Sequence, residues 1–221
     1  MQFRLAVALL VGLSGQAIGG ALSCGDGAFA IDAPSEALGS EICDDLLDAR
    51  EMMLGCGLVQ DRPIAVEVMH GISHPIGTCL SYFDCSFDVI RITEPGAFGD
   101  ALPPDDPYAL LPAEVLLASL LAHELAHALV AQTAGDRQID IVDQEYIAAA
   151  LELEHMDAAW REVLIGAAPV SLPPKPGLID IWIYGMAPRK FATNAWQHFR
   201  LEGNGCALVA EIVAGRFSFA R

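Results

Sequence analysis

The pattern of hydrophobic and polar positions divides the chain into a strand-rich first half and a helical second half. Apolar residues recur at helical spacing over residues 35–54, whereas residues 63–69 and 79–93 alternate as strands do. Residues 113–130 form an apolar run between Pro112 and Gly135, with no internal Gly or Pro, which predicts a buried helix. Strands followed by helices predict an α+β fold with a small mixed or antiparallel sheet.

Further helices are predicted after this buried one. Asp140 is a candidate N-cap for a helix over residues 141–150, and residues 191–199 and 206–215 also have helical patterns. Proline-rich residues 94–112 and 169–177 predict loops. About 200 residues remain after a predicted leader, enough for one core, so we expect a single domain over residues 22–221.

The predicted buried helix carries three polar residues in an unusual arrangement. His123, Glu124 and His127 form the pattern HExxH. Positions i and i+4 share a helix face, so the two imidazoles can bind one metal ion, and Glu124 then lies beside the position of a bound water. Histidine ligands with a neighbouring carboxylate as general base are typical of zinc hydrolases. The pattern predicts a Zn²⁺ site.

A catalytic zinc commonly has three protein ligands, so a third ligand is expected downstream. Glu145, on the predicted helix that begins after Asp140, is the preferred candidate. Asp143, Glu152 and His155 are the alternatives, with Glu152 also a candidate neighbour of the ligands or a solvent-facing residue.

Together these residues resemble the gluzincin branch of the zincin metallopeptidases, in which HExxH is followed by a glutamate ligand on the next helix. The segment from Glu145 to Ala148 also resembles secreted bacterial zincin-like proteins. The resemblance covers residues 113–153. It implies a zincin-like fold and hydrolysis of peptide bonds, with Glu124 as the base and His123, His127 and Glu145 as ligands. The Gly and third His that extend the metzincin motif do not follow His127.

Three other residues are candidates for stabilising the oxyanion of a transition state, a role that requires a hydrogen-bond donor. They are His198, Tyr184 and Tyr146. The strand over residues 88–93 has two interpretations, as an edge strand that pairs with an extended substrate or as an ordinary core strand.

The first 21 residues have the pattern of a signal peptide. Arg4 precedes a short apolar run, and small residues follow from position 15 to 21. We therefore expect export to the periplasm or the outside of the cell. The run is too short to span a membrane, and no later stretch of about 18 apolar residues is apparent, so no stable span is expected.

Six cysteines lie after this leader and predict up to three disulfides in an exported protein. Cys43 and Cys56 would lie too far apart along a helix to pair, whereas Cys79 and Cys85 are candidates for closing a hairpin.

The net charge of −17 and the absence of a basic patch argue against nucleic-acid binding. The partner expected instead is a peptide or protein substrate. Two functional hypotheses follow, a zinc metallopeptidase or a catalytically silent zincin-like binding protein. The intact Glu124 favours the enzyme, because a scaffold has no need of a general base.

Overall fold

A computed structural model describes residues 21–74 and 77–220. The predicted signal peptide therefore lies almost entirely outside the described residues. The fold is α+β, as predicted, with a small mixed sheet and a largely helical second half.

Within the described residues, the strand-rich half contains seven strands and one long helix. In chain order the elements are β1 (Leu22–Cys24), β2 (Phe29–Asp32), α1 (Glu36–Gly55), β3 (Ile64–Met69), β4 (Ile72–His74), β5 (Gly77–Cys79), β6 (Ser81–Asp84) and β7 (Val89–Thr93). Five of the strands form one sheet in the order β1-β2-β3-β7-β6, and β4 and β5 form a separate hairpin. Strands β2, β3 and β7 are parallel, whereas β1 and β6 run antiparallel to their neighbours.

The helical half begins with a short helix in the proline-rich region. Its elements are α2 (Phe98–Ala101), α3 (Ala113–Ala134), α4 (Ile141–His155), α5 (Ala158–Ala167), α6 (Ile181–Met186), α7 (Pro188–Phe199) and α8 (Cys206–Val213). Single 3₁₀ turns occupy Pro95–Ala97, Pro107–Leu110 and Pro176–Leu178. The short strands β1 and β2 and the helices α5 and α6 were not predicted from the sequence.

Helix α3 forms the centre of the core and packs against α1, α4, β6 and β7. Most of its residues are apolar on every face, as expected for a helix that other elements cover on several sides. It follows Pro112 and ends at Gly135, whose φ of 60° lies in the left-handed region that favours glycine. By length and composition this helix would also suit a membrane span, but it is mostly buried inside the described protein.

Strand β7 is an interior strand, paired with β3 on one side and β6 on the other. Of the two interpretations of residues 88–93, the structure therefore supports the core strand, with Ile90 and Ile92 fully buried. The edge of the sheet on this side is β6, in the part of the chain that the structure describes.

Two disulfides connect distant parts of the chain, Cys24–Cys43 and Cys56–Cys206. The excluded pairing of Cys43 with Cys56 is indeed not formed. The predicted Cys79–Cys85 pair is wrong, since both residues are free thiols. The residues between them form strand β6, which keeps its two ends apart by about 3.3 Å per residue. Two disulfides are consistent with an oxidising compartment.

Candidate metal centre

Helices α3 and α4 bring His123, His127 and Glu145 together. One ligand atom from each residue lies within 4.8 Å of the other two. The helical rise places the two imidazoles one turn apart on α3, with their Nε2 atoms 3.2 Å from each other. Helix α4 returns against α3 after a short connection, so that Glu145 faces both histidines.

The spacing of these atoms fits a single cation. Glu145 Oε2 is 3.5 Å from His123 Nε2, and Glu145 Oε1 is 3.7 Å from His127 Nε2. Ligand atoms about 2.0–2.1 Å from a tetrahedral zinc would be about 3.4 Å apart. Glu145 Oε2 is buried without a hydrogen-bond partner. A buried carboxylate oxygen without a partner is costly, and a cation between these atoms would remove that cost.

Glu152 explains the orientation of His123. Its Oε2 lies 2.9 Å from His123 Nδ1, so the Nδ1 proton is directed to this carboxylate and Nε2 faces the other ligands. Glu152 is buried, and its second oxygen accepts hydrogen bonds from Ser119 and Tyr108. Of the positions considered from the sequence, Glu152 therefore has that of a neighbour of the candidate ligands, in contact with His123.

The protonation of the cluster also fits a cation site. Burial lowers the pKa of His127, which leaves the neutral imidazole that binds metal. Burial also lowers the pKa of His123, but the neighbouring carboxylates of Glu145 and Glu152 outweigh this effect and hold that pKa well above its usual value. Burial raises the pKa of Glu145, yet its interactions with the two histidines lower it overall. The cluster thus holds a proton among its ligand atoms where a cation would replace it.

Glu124 lies beside the cluster and is held in place by the edge strand. Its carboxylate is almost fully buried and accepts a hydrogen bond of 2.7 Å from the hydroxyl of Ser81 on β6. Glu124 also lines two cavities that meet at the cluster. A carboxylate in this position can exchange protons with a molecule bound in either cavity.

One of the three predicted transition-state stabilisers lies at this site. Tyr184 of α6 lines both cavities, and in the cleft along β6 it lies among the same lining residues as Glu145. Tyr146 and His198 form a separate buried pair, with the Tyr146 hydroxyl 3.1 Å from His198 Nδ1. Neither residue lines the cavities at the cluster. Successive residues of α4 point in different directions, so Tyr146 faces away from the site that Glu145 enters.

The remaining alternatives for a third ligand lie elsewhere. Asp143 accepts a hydrogen bond from the backbone N–H of Phe219, and His155 is the last residue of α4. Neither belongs to the ligand cluster among the described residues.

Sequence reasoning missed four residues that complete the surroundings of the cluster: Ser81, Tyr108, Ser119 and Arg189. Ser119 had a usable signal, since it lies four residues before His123 on the same face of an apolar helix. The other three come from distant segments, and their spacing in the sequence gives no indication of this contact.

The chain belongs to DUF6639, described as a family of unknown function, whose model matches residues 29–221. The matched region includes every residue of the metal-ligand cluster. Comparisons with curated proteins and with solved structures give no match to the chain.

Proposed function

We propose that this protein is an exported zinc-dependent hydrolase, a metallopeptidase of the gluzincin type that cleaves peptide bonds. The observation that carries the proposal is the arrangement of His123, His127 and Glu145, in which each carboxylate oxygen of Glu145 lies within 4 Å of one imidazole nitrogen and Oε2 is buried without a hydrogen-bond partner. The packing of the HExxH helix against the helix that carries Glu145, beside an edge strand, supports it.

His123, His127 and Glu145 would hold the zinc ion. Bound there, zinc would supply a Lewis acid that polarises a carbonyl and lowers the pKa of a water to roughly 7. Two neutral imidazoles and one carboxylate are a common ligand set for catalytic zinc.

Glu124 is the general base in this proposal. It accepts the proton of the attacking water and then delivers it to the nitrogen of the leaving amine. The hydroxyl of Ser81 fixes one carboxylate oxygen, so the other remains available for proton transfer. Because Ser81 belongs to β6, the position of the base depends on the strand at the edge of the cleft.

Tyr184 is the proposed donor to the developing oxyanion. Tyr184 lines the cleft together with Glu145 and Glu124. A hydroxyl fixed in this place would stabilise negative charge that forms on a carbonyl oxygen.

Strand β6 is the proposed docking edge for an extended peptide. The cavity at the metal-ligand cluster is also lined by Ser81, Tyr82 and Phe83. In the described sheet β6 is the last strand, with β7 as its neighbour on one side. An extended chain can add to such an edge through backbone hydrogen bonds. The role first considered for β7 is thus assigned to its neighbour.

The test compares zinc content and peptide hydrolysis in the wild type, Glu124→Gln and Glu114→Gln. Glu114 is the matched control, since it is an exposed glutamate in the first turn of the same helix. We expect one zinc per chain in all three proteins by elemental mass spectrometry. A peptide library analysed by mass spectrometry should show cleavage by the wild type and the control, and a loss of about 10²–10⁴-fold in Glu124→Gln.

Two outcomes would contradict the proposal. Wild-type activity in Glu124→Gln would rule out Glu124 as the base. A folded, oxidised protein that binds no zinc after reconstitution would rule out the metal site. Stoichiometric zinc without hydrolysis of any library peptide would favour the silent binding protein.

A further inference from the structure

A second cavity adjoins the metal-ligand cluster and contains an arginine side chain. This cavity, which we call the arginine chamber, has a volume of about 300 Å³. It shares His123, Glu124 and Tyr184 with the cleft along β6, but His127 and Glu145 do not line it. A molecule that crosses the ligand cluster would therefore place one end in the arginine chamber.

Arg189 is the one lysine or arginine among the residues that line the two cavities, within the described part of the chain. Its Nε lies 3.0 Å from Asp106 Oδ1, and its Nη2 lies 3.4 Å from Asp106 Oδ2. The guanidinium also stacks over the ring of Tyr108, 3.3 Å from the centroid. Asp106 and Tyr108 thus fix the plane of the guanidinium before any ligand arrives.

The third guanidinium nitrogen remains available. Arg189 Nη1 has no hydrogen-bond acceptor among residues 21–74 and 77–220, and the side chain is 26% exposed. The ion pair with Asp106 uses Nε and Nη2, so the N–H groups of Nη1 can still donate to a ligand. Because the guanidinium group is already held in one orientation, it loses little side-chain entropy when it donates to a further oxygen.

Apolar side chains of Leu102, Leu120 and Phe191 form part of the chamber walls. The carboxylates of Glu124 and Glu152 also line it, and both already accept hydrogen bonds, Glu124 from Ser81 and Glu152 from Ser119 and Tyr108. A hydrogen bond to a charged group is stronger in such surroundings than in open water. The volume is at the lower end of the range for ligand sites, which suits one or two residues and not a long segment.

We propose that Arg189 binds a carboxylate of the substrate, on the side of the scissile bond that enters the arginine chamber. The carboxylate belongs either to the C-terminus of the peptide or to an Asp or Glu side chain. This inference rests on the proposed function and adds the substrate class to it. Arg189 acts here as a specificity-determining residue, with Asp106 and Tyr108 as the residues that position it.

The experiment measures binding without hydrolysis, in zinc-loaded Glu124→Gln. The probes are fluorescein-labelled hexapeptides of Ala and Leu, followed by fluorescence anisotropy at pH 7. One pair differs only in a free C-terminal carboxylate or a C-terminal amide. The second pair consists of two amides with an internal Glu or Gln. We expect at least one carboxylate peptide to bind about tenfold or more tightly than its neutral partner.

Variants at the arginine then assign this preference. Arg189→Gln is combined with Asp106→Asn, so that no unpaired charge is left in the chamber. We expect the double variant to reduce the preference below about threefold. Arg189→Lys, which keeps the charge but loses the fork, should retain part of the preference. The control is Arg200→Gln, since Arg200 is an exposed residue that bonds Glu154, and it should keep the full preference.

The outcomes separate this inference from the proposed function. A preference for the free C-terminus or for the internal Glu supports the inference and identifies the source of the carboxylate. Equal binding of acidic and neutral peptides overturns the inference, and so does binding of neither. A preference that persists in the folded double variant also overturns it, because the carboxylate would then bind elsewhere. Hydrolysis of neutral peptides by the wild type would leave the proposed function intact in each of these cases.

Discussion

Two largely buried histidine clusters lie on different sides of helix α4, and they differ in how their polar atoms are satisfied. The metal-ligand cluster contains His123, His127 and Glu145. The second, which we call the C-terminal histidine cluster, contains His198, Tyr146, Asn204 and Phe219. Consecutive residues of α4, Glu145 and Tyr146, enter the two clusters.

The C-terminal histidine cluster is closed by its own hydrogen bonds. Tyr146 and Asn204 both reach His198 Nδ1, and aromatic rings cover the imidazole. The metal-ligand cluster retains a buried carboxylate oxygen without a partner and two imidazole nitrogens that face the same point. Buried polarity by itself therefore does not identify a functional site. An unsatisfied acceptor that converges with other ligand atoms is the informative feature.

The sharpest test of this contrast is removal of the third ligand. Glu145→Gln preserves size but removes the charge that faces the two histidines, so zinc affinity should fall more than 100-fold. A competition titration with a chromophoric chelator measures this change. The control is Glu154→Gln, on the same helix, where Glu154 bonds Trp196 and Arg200 on the surface. Unchanged affinity in Glu145→Gln would assign the third ligand elsewhere.

A somewhat smaller loss is expected when the partner of His123 is changed. In Glu152→Gln an amide nitrogen replaces one of the oxygens that accept from His123, Ser119 and Tyr108. Zinc affinity should fall about 10–100-fold, because His123 is held less firmly in its ligand orientation. The same chelator titration applies. If affinity falls only with Glu145→Gln, then Glu152 merely fills the core.

The C-terminal histidine cluster should respond in stability and not in metal binding. Tyr146→Phe removes the hydroxyl that lies 3.1 Å from His198 Nδ1 and leaves the ring packing intact. We expect a loss of about 1 kcal/mol in the free energy of unfolding, measured by urea denaturation. Zinc content should remain at the wild-type level. A fall in zinc content would show that the two clusters are coupled through α4.

The smallest expected effect is a change in the pH dependence of stability. Burial lowers the pKa of His198 below its ordinary value of 6.5. As pH falls through 6.5 towards the lowered value, the unfolded chain binds more protons than the native protein, so the native state loses stability in that window. His198→Gln should lose less stability than the wild type between pH 7 and pH 5.

Urea midpoints of the metal-free proteins at the two pH values measure this difference. Metal-free protein is needed because zinc binding itself depends on pH. Equal losses in the wild type and in His198→Gln would mean that His198 titrates normally in the folded protein.

Much of the site follows from local sequence. Helical periodicity placed His123 and His127 one turn apart, and the N-cap position of Asp140 predicted a second helix that carries Glu145. The strands β3 and β7 and the helix α1 were also predicted, because their apolar positions repeat with the spacing of a strand or helix. Local pattern failed for β1 and β2, which have only three and four residues.

The sequence by itself determined the helix that carries the motif and the placement of His123, Glu124 and His127 on it, because these depend on residues a few positions apart. Only the tertiary structure decided which strand forms the edge, where Ser81 and Arg189 lie, and which histidine is closed by its neighbours. These features depend on contacts between segments up to 83 residues apart, such as Arg189 with Asp106. The spacing of residues within one helix or strand does not predict such contacts, since they form only when the elements pack together.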